Sequence, residues 1–155
     1  GVYLKVNISN NNIFRMKGEE KPEIETSNYT KLLKTKTEII NNIPSLDLCL
    51  LGIGGDGHTA SIFPHELKKL SDKSDCVVGI NPDSGQKRVS LSIKQINNSK
   101  EVIFHVCGSG KKDVVDMIIS KRENYLDLPA SHILPKSKNL SWYLDFDSAE
   151  TFMGT

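Results

Sequence analysis

The stretch that decides the fold is LDLCLLGIGGDGHTASIFP, residues 46–64. It opens with apolar residues on consecutive positions, a pattern typical of a strand that is covered on both faces in a parallel sheet. A glycine-rich turn follows the strand, and open α/β folds hold their ligands at this carboxyl edge of the sheet. Because glycine lets a ligand approach the backbone closely, we expect Gly54, Gly55 and Gly57 to contact a substrate.

A histidine, His58, stands directly after this turn. Histidine can accept and return a proton near neutral pH, so His58 is a candidate general base. We expect Asp56 to cap a short helix over residues 58–63, whose free N–H groups can hold an anion. The alternative is a histidine that only ends the turn and hydrogen-bonds to the backbone. The turn lacks the P-loop and dinucleotide patterns, so no nucleotide site is expected.

The rest of the chain alternates between strand and helix patterns. Alternating apolar residues predict a first strand over residues 2–8. A helical stripe predicts a helix that begins at a cap on Thr26 or Ser27, continues through Ile43 and ends before Pro44. A second helix is predicted to begin near Gly110, and further strands are predicted over residues 76–80, 88–93, 101–108 and 140–145. The 155 residues therefore predict one layered α/β domain with a mostly parallel, Rossmann-like sheet flanked by helices.

Composition and charge exclude several classes of partner. The 20 Lys and Arg residues nearly balance the 19 Asp and Glu residues, so we expect no nucleic-acid partner. The longest apolar stretch, Leu48–Ile53, is far shorter than the roughly 20 residues of a membrane span, so we expect no membrane and a cytoplasmic protein. The three cysteines lie far apart and are expected to be free thiols. No pair of histidines has metal-ligand spacing, so no metal is expected.

Two short segments bring positive charge to strand ends. Lys87 and Arg88 begin one predicted strand, and Lys111 follows a Gly-Ser-Gly turn after another. Arg88 can bind a phosphate through two parallel hydrogen bonds. Lys111 lies where a strand, a glycine turn and the start of a helix form a natural cradle for an anion. Most single lysines and arginines are merely solvated, and that alternative stays open for both residues.

The long stretch over residues 46–64 resembles the signature of the 6-phosphogluconolactonase family, L-G-x-G-x-D-G-H-T-A-S-L-F-P. RVSLSI, CGSGKK and LPASHILP…LSWYLDFDSA resemble further family segments in the same order. The resemblance implies a fold of the deaminase/lactonase type and a carboxylic ester hydrolase without metal or organic cofactor. Such an enzyme hydrolyses the sugar-phosphate lactone 6-phosphoglucono-δ-lactone to 6-phosphogluconate in the oxidative pentose phosphate pathway. It also implies His58 as the base that activates water, Asp56 as the aspartate of the motif, and Arg88 and Lys111 as ligands of the sugar phosphate.

The chain departs from the family pattern in two places. Where the family has a lysine and two prolines before the arginine, this chain has DSGQKR, residues 83–88, which leaves the role of Lys87 open. Family members also open with a strand and a glycine-rich loop that meets the phosphate, and neither precedes GVYLKVNI. We therefore expect the chain to be the C-terminal two-thirds of a lactonase domain. The resemblance also allows a parent polypeptide in which it is fused or adjacent to glucose-6-phosphate dehydrogenase.

Two other functions compete with lactone hydrolysis. Glucosamine-6-phosphate deaminases share G-x-G-x-D-G-H but continue as I-A-F-N-E-P, which supplies a glutamate that works with the histidine. The segment Thr59–Pro64 of this chain contains no acidic residue, which disfavours a deaminase-like isomerase. A non-catalytic fragment that only binds a sugar phosphate is the third possibility.

Overall fold

The computed structural model of the chain describes residues 5–153. Its α-helices are α1 (Pro22–Lys36), α2 (Ile93–Ile96) and α3 (Lys112–Ile119). Its strands are β1 (Glu38–Ile40), β2 (Ile43–Ser45), β3 (Leu48–Leu51), β4 (Cys76–Ile80), β5 (Lys87–Leu91), β6 (Glu101–Val106) and β7 (Leu140–Leu144). Short 3-10 helices connect them at Asn10–Asn12, Pro64–Ser71, Ser109–Lys111, Tyr125–Asp127, Pro129–His132 and Glu150–Phe152.

The centre of the fold is a parallel sheet in the strand order β3–β6–β7. The register places Phe104 opposite both Leu51 and Trp142. Phe104 is fully buried, and its ring stacks on Trp142 with 4.2 Å between the ring centroids. The predicted parallel α/β sheet is therefore confirmed, and the carboxyl ends of β3 and β6 meet at one edge.

One hydrophobic cluster joins the parallel sheet to its surroundings. From α3, Val114, Val115 and Ile118 pack into it, and this helix begins two residues after the Gly110 start that the sequence predicts. Such burial of aliphatic side chains supplies the main free energy that favours folding. No helix in residues 5–153 is long and apolar enough to cross a membrane.

Strands β4 and β5 form a separate antiparallel pair. Asn81 folds the connection between them, because its Oδ1 accepts hydrogen bonds from the N–H groups of Asp83 at 3.1 Å and Ser84 at 2.8 Å. Gly85 completes the turn at φ +67°, a left-handed conformation that favours glycine. Both strands were predicted, and their hairpin forms a wall beside the parallel sheet.

The predicted helix from Thr26 through Ile43 is wrong at both ends. Helix α1 begins earlier, at Pro22, because proline suits the first turn of a helix. It ends at Lys36, and the chain then forms the β1–β2 hairpin. Asn41 and Asn42 make the turn at φ 54° and 62°, as two-residue hairpin turns of this type require.

Two other expectations about strands are also corrected. Residues 2–4 of the predicted first strand lie outside the described part, and residues 5–8 form no strand: Val6 and Asn7 lie in a turn, and Ile8 N–H donates to Val6 O at 2.8 Å. Strand β3 is not covered on both faces: Cys49 and Leu51 are buried, whereas Leu48 and Leu50 are 47% and 65% exposed. Within residues 5–153, β3 pairs only with β6, which leaves its other edge and one face open.

Candidate active site

The glycine turn after β3 folds back on itself. Gly54 N–H donates to His58 O at 2.8 Å, and Gly57 N–H donates to Gly54 O at 3.0 Å. Gly57 has φ +80°, and a β-carbon there would lie 2.8 Å from the Leu128 side chain. Ala130 N–H donates to Gly57 O at 3.0 Å, which ties the turn to the 3-10 helix beneath it. Hydrogen bonds within the turn and one hydrogen bond from Ala130 therefore hold the turn in place.

Asp56 and His58 form a hydrogen-bonded pair at the tip of this turn. Asp56 Oδ1 lies 2.6 Å from His58 Nδ1 and also accepts the backbone N–H of His58 at 3.1 Å. The expected helix over residues 58–63 is absent; Thr59 and Ile62 instead form a short bridge. Asp56 therefore orients the His58 side chain and caps no helix.

This pairing assigns different roles to the two ring nitrogens of His58. A proton on Nδ1 is held by the Asp56 carboxylate, which leaves Nε2 free to accept a proton. The buried Phe63 ring supports the imidazole, with 4.7 Å between ring centroids. The His58 side chain keeps 31% of its surface exposed, so solvent and ligands can reach it. This is the arrangement of a general base held in one orientation.

The environment of Asp56 keeps its carboxylate charged. Partial burial acts to raise the pKa of Asp56, but the hydrogen bonds from the backbone and the ring of His58 outweigh it and lower the pKa below its usual value. Asp56 is therefore ionised at neutral pH and can stabilise a protonated imidazole.

Gly54 leaves room for this pair. A β-carbon at Gly54 would lie 2.1 Å from His58 Nδ1 and 2.4 Å from Asp56 Oδ1. Any larger residue would push the two side chains apart. The glycine in this position is therefore required by the close approach of the Asp56–His58 pair, whatever its role toward a ligand.

A cavity of about 670 Å³ opens beside His58. The end of β3, the turn through Gly54 and the segment at Ala60 and Ser61 form its floor, and Val89 and Ser90 of β5 form a wall. Lys111 enters from the turn after β6. Within residues 5–153, no carboxylate forms an ion pair with Lys111, so its ammonium group is available to an anion.

The structure brings together some of the residues predicted from sequence and separates others. Gly54, His58 and Lys111 line the cavity. Asp56 does not line it but contacts His58. Gly55 and Gly57 shape the turn but do not line the cavity. These positions come from two neighbouring parallel strands, which explains why they meet.

The two basic residues of β5 lie at the margin of the site. Arg88 is exposed and does not line the cavity, and its Nε donates to Gln86 Oε1 at 3.4 Å. Lys87 forms an ion pair with Glu23 of α1 at 2.9 Å. The Glu23 pair gives Lys87 a role in fastening α1 to β5.

Among the lining residues that sequence reasoning missed are Ser90 and Met16. Ser90 Oγ accepts the backbone N–H of Ser61 at 3.1 Å and so holds the segment after His58 against β5. A serine inside the predicted strand RVSLSI was the available signal. Met16 lies far from the motif in sequence, and nothing in the pattern marked it. In the part of the chain that the structure describes, no three His, Cys, Asp or Glu side chains gather as metal ligands would.

Several curated relatives of this chain carry the name 6-phosphogluconolactonase. A protein of Treponema pallidum named 6-phosphogluconolactonase is 41% identical over 108 residues, which cover 70% of this chain and 45% of the relative. A protein of that name from Aggregatibacter actinomycetemcomitans is 33% identical, over 94% of this chain and 60% of its own length. The human GDH/6PGL endoplasmic bifunctional protein is 38% identical over 67% of this chain and 13% of its own length. The chain thus spans about half the length of the first two relatives.

Solved structures share the fold. The crystal structure of devB protein superposes with a TM-score of 0.90 at 36% identity, over 96% of this chain and 62% of that chain. The 6-phosphogluconolactonase of Trypanosoma brucei superposes with a TM-score of 0.71 at 30% identity, over 84% of this chain and 53% of that one. The sequence profile of the glucosamine-6-phosphate isomerases/6-phosphogluconolactonase family matches residues 2–142. The chain belongs to this family.

Proposed function

We propose that this chain carries the catalytic site of a 6-phosphogluconolactonase, which hydrolyses 6-phosphoglucono-δ-lactone to 6-phosphogluconate. The observation that carries the proposal is the 2.6 Å contact between Asp56 and His58 at the mouth of a cavity that Lys111 also lines. The names of the similar proteins support it. A cavity of about 670 Å³ also suits a hexose phosphate, since small-ligand sites typically have roughly 300–1,000 Å³.

The proposed chemistry begins with a water molecule beside His58. Nε2 accepts a proton from this water as its oxygen attacks C1 of the lactone, while Asp56 stabilises the imidazolium that forms. The bond between C1 and the ring oxygen then breaks, and the imidazolium returns its proton to that oxygen, which becomes the C5 hydroxyl. The new carboxylic acid loses its proton to solvent, and His58 is neutral again.

The phosphate of the substrate has a separate role in the proposal. Lys111 binds it through its ammonium group, and the energy of this contact orients C1 toward His58. Arg88 is proposed as a second phosphate ligand at the rim, because its neighbours on β5, Val89 and Ser90, line the cavity. Gly54 is proposed to let the sugar approach the backbone of the turn, and Gly55 and Gly57 to shape the turn that presents it.

A deaminase-like isomerase is the weaker proposal because no acid accompanies His58 at the required place. The first acidic residue after it is Glu66, which is 4% exposed. Glu66 bonds to the Lys69 ammonium group and accepts the N–H of Ile80 at 3.1 Å. Its carboxylate is therefore already occupied and does not line the cavity.

The remaining expectations about the whole protein are also proposals. The contiguous hydrophobic cluster within residues 5–153 supports one domain over residues 1–155. The three free cysteines support a cytoplasmic location, where thiols stay reduced. The bifunctional human relative supports a fusion with a dehydrogenase in some polypeptides that carry such a domain. The ligand we propose is the sugar-phosphate lactone, without nucleic acid or membrane.

One set of assays on the full-length protein separates the three candidate functions. The protein is offered 6-phosphoglucono-δ-lactone and glucosamine 6-phosphate, and binding of 6-phosphogluconate is measured by calorimetry. The proposal predicts hydrolysis of the lactone well above its spontaneous rate and no release of ammonia from the amino sugar. Ammonia release without lactone hydrolysis would instead identify an isomerase. Binding of 6-phosphogluconate without either reaction would identify a non-catalytic module.

A further inference from the structure

The segment LSWYLDFDSA contains an aspartate that the proposed chemistry does not use. Asp145 directly follows β7, so it stands at the same sheet edge as the end of β6. Its two carboxylate oxygens accept the N–H of Gly108 at 2.8 and 3.1 Å. Asp145 N–H in turn donates to Val106 O at 3.2 Å. Asp145 thus forms hydrogen bonds with the backbone directly after the end of β6.

Ser148 fixes the orientation of this carboxylate. Its N–H donates to Asp145 Oδ1 at 2.9 Å, and its hydroxyl, which is fully buried, donates to Val106 O at 3.1 Å. Hydrogen bonding from Ser148, together with the N–H of Gly108, lowers the pKa of Asp145 below its usual value. The carboxylate is therefore charged at neutral pH and held from two sides.

Gly108 connects the Asp145 carboxylate to Lys111, the candidate phosphate ligand. It adopts φ +96° and ψ 148°, a conformation that residues with a side chain rarely take. A β-carbon there would meet nothing within 4 Å, so the backbone angle and not crowding requires the glycine. Gly108 O accepts the N–H of Lys111 at 3.1 Å. Only two hydrogen bonds thus separate the Asp145 carboxylate from the residue that enters the cavity.

We propose that Asp145 is a positioning residue, which holds the turn over residues 108–111 so that the Lys111 ammonium group faces the phosphate of the substrate. Asp145 itself does not line the cavity, so it acts through the turn and touches no substrate atom. This inference rests on the proposed function, because it takes Lys111 as the phosphate ligand. A nearby ion pair between Lys112 and Glu150, at 3.0 Å, also joins the two segments and serves as a comparison.

The test replaces the carboxylate by an amide of equal size, Asp145→Asn, in the full-length protein. The amide lacks the negative charge, and its NH₂ group cannot accept a hydrogen bond from the Gly108 N–H. We expect KM for the phosphorylated lactone to rise about tenfold, the usual effect of losing one charge-assisted contact. We expect kcat to change little, and hydrolysis of glucono-δ-lactone, which has no phosphate, to stay unchanged. The matched control Glu150→Gln should keep the wild-type KM.

Two further measurements distinguish positioning from a merely structural role. In a Lys111→Ala background, Asp145→Asn should raise KM no further, because both changes disturb one contact. Gly108→Ala, which disturbs the other end of the same hydrogen bond, should reproduce the selective rise in KM. Equal losses on both lactones, or effects that add in the double variant, would overturn the inference. Thermal unfolding of each variant reports whether it folds.

The result also remains distinct from that of the proposed function. If the wild-type protein hydrolyses the lactone and Asp145→Asn has a normal KM, only this inference fails. If the wild type does not hydrolyse the lactone but binds 6-phosphogluconate, the proposed function fails, and the affinity of Asp145→Asn for 6-phosphogluconate then decides the inference. A tenfold weaker affinity would support it, and an unchanged affinity would contradict it.

Discussion

Asp56 and His58 act as a pair because the turn between them folds back until their side chains touch. The 2.6 Å contact of Oδ1 with Nδ1 leaves the other ring nitrogen, Nε2, available to accept a proton. The sequence predicts both residues as part of the site. It does not predict their contact, because the expected helix would have used Asp56 as a cap. The pairing depends on the backbone path through Gly54 and Gly57, and a glycine-rich segment permits many such paths.

Replacing Asp56 by asparagine tests the contribution of its charge. Asp56→Asn keeps the size of the side chain but removes the negative charge that stabilises the imidazolium. We expect kcat to fall roughly 10- to 100-fold with a nearly unchanged KM, as when an interaction is stronger in the transition state than in the ground state. Steady-state kinetics with the phosphorylated lactone measures both values. A wild-type kcat would show that His58 needs no partner.

Replacing Gly54 by alanine tests the space that the pair needs. The added methyl group would lie 2.1 Å from His58 Nδ1, so the ring must move. We expect Gly54→Ala to lower kcat by at least tenfold, since a reacting group displaced by about 1 Å can cost roughly 100-fold. Gly18→Ala is the control, because a β-carbon at Gly18 meets no atom within 4 Å. Similar kcat values in both variants would argue against a tightly held pair.

At the scale of secondary-structure elements, the sequence prediction fails where a local turn interrupts a helical pattern. The apolar stripe through Ile39, Ile40 and Ile43 continues the helical spacing of α1, yet these residues form the β1–β2 hairpin. Two asparagines in the left-handed conformation, Asn41 and Asn42, end the helical pattern. Helix α3 carries a similar stripe without such a turn inside it, and there the sequence prediction is confirmed.

The asparagine turn gives a prediction for the stability of the hairpin. Asn42 has φ 62°, which valine tolerates poorly because its branched side chain clashes with the backbone there. We expect Asn42→Val to lower the free energy of unfolding by about 1–2 kcal/mol, and Asn42→Gly to lower it much less. Urea unfolding of both variants measures the difference. Equal stability of the valine and glycine variants would contradict this turn.

Over the whole molecule, the parallel sheet explains why residues far apart in sequence meet. His58 follows β3 and Lys111 follows β6, and the two strands are neighbours, so both residues arrive at one edge. This much is predictable from strand order and glycine turns. The position of Arg88 outside the cavity lining cannot be predicted in this way, because it depends on how the β4–β5 hairpin packs against the parallel sheet. Contacts between separate sheets leave no periodic signal in the sequence.

The packing of the whole chain also predicts the reactivity of its thiols. Cys49 and Cys76 are 6% and 4% exposed, whereas Cys107 is exposed. Burial raises the pKa of Cys49 to about 11 and also raises that of Cys76, so neither forms the reactive thiolate near neutral pH. We expect Ellman's reagent at pH 8 to modify only Cys107 quickly, and all three thiols in denaturant. Rapid modification of Cys49 in the native protein would contradict the packing of β3.

The measurement that tests the central claim most directly is the rate of lactone hydrolysis in a His58→Ala variant. We expect kcat for 6-phosphoglucono-δ-lactone to fall roughly 10²- to 10⁴-fold, the usual contribution of a positioned general base. The control is His105→Ala, since His105 is exposed on the neighbouring strand β6 and does not line the cavity. The assay must be fast, because this lactone also opens spontaneously in water. A large loss in His58→Ala with a wild-type rate in His105→Ala is the predicted result, and a near wild-type kcat in His58→Ala would contradict the assignment of His58 as the base.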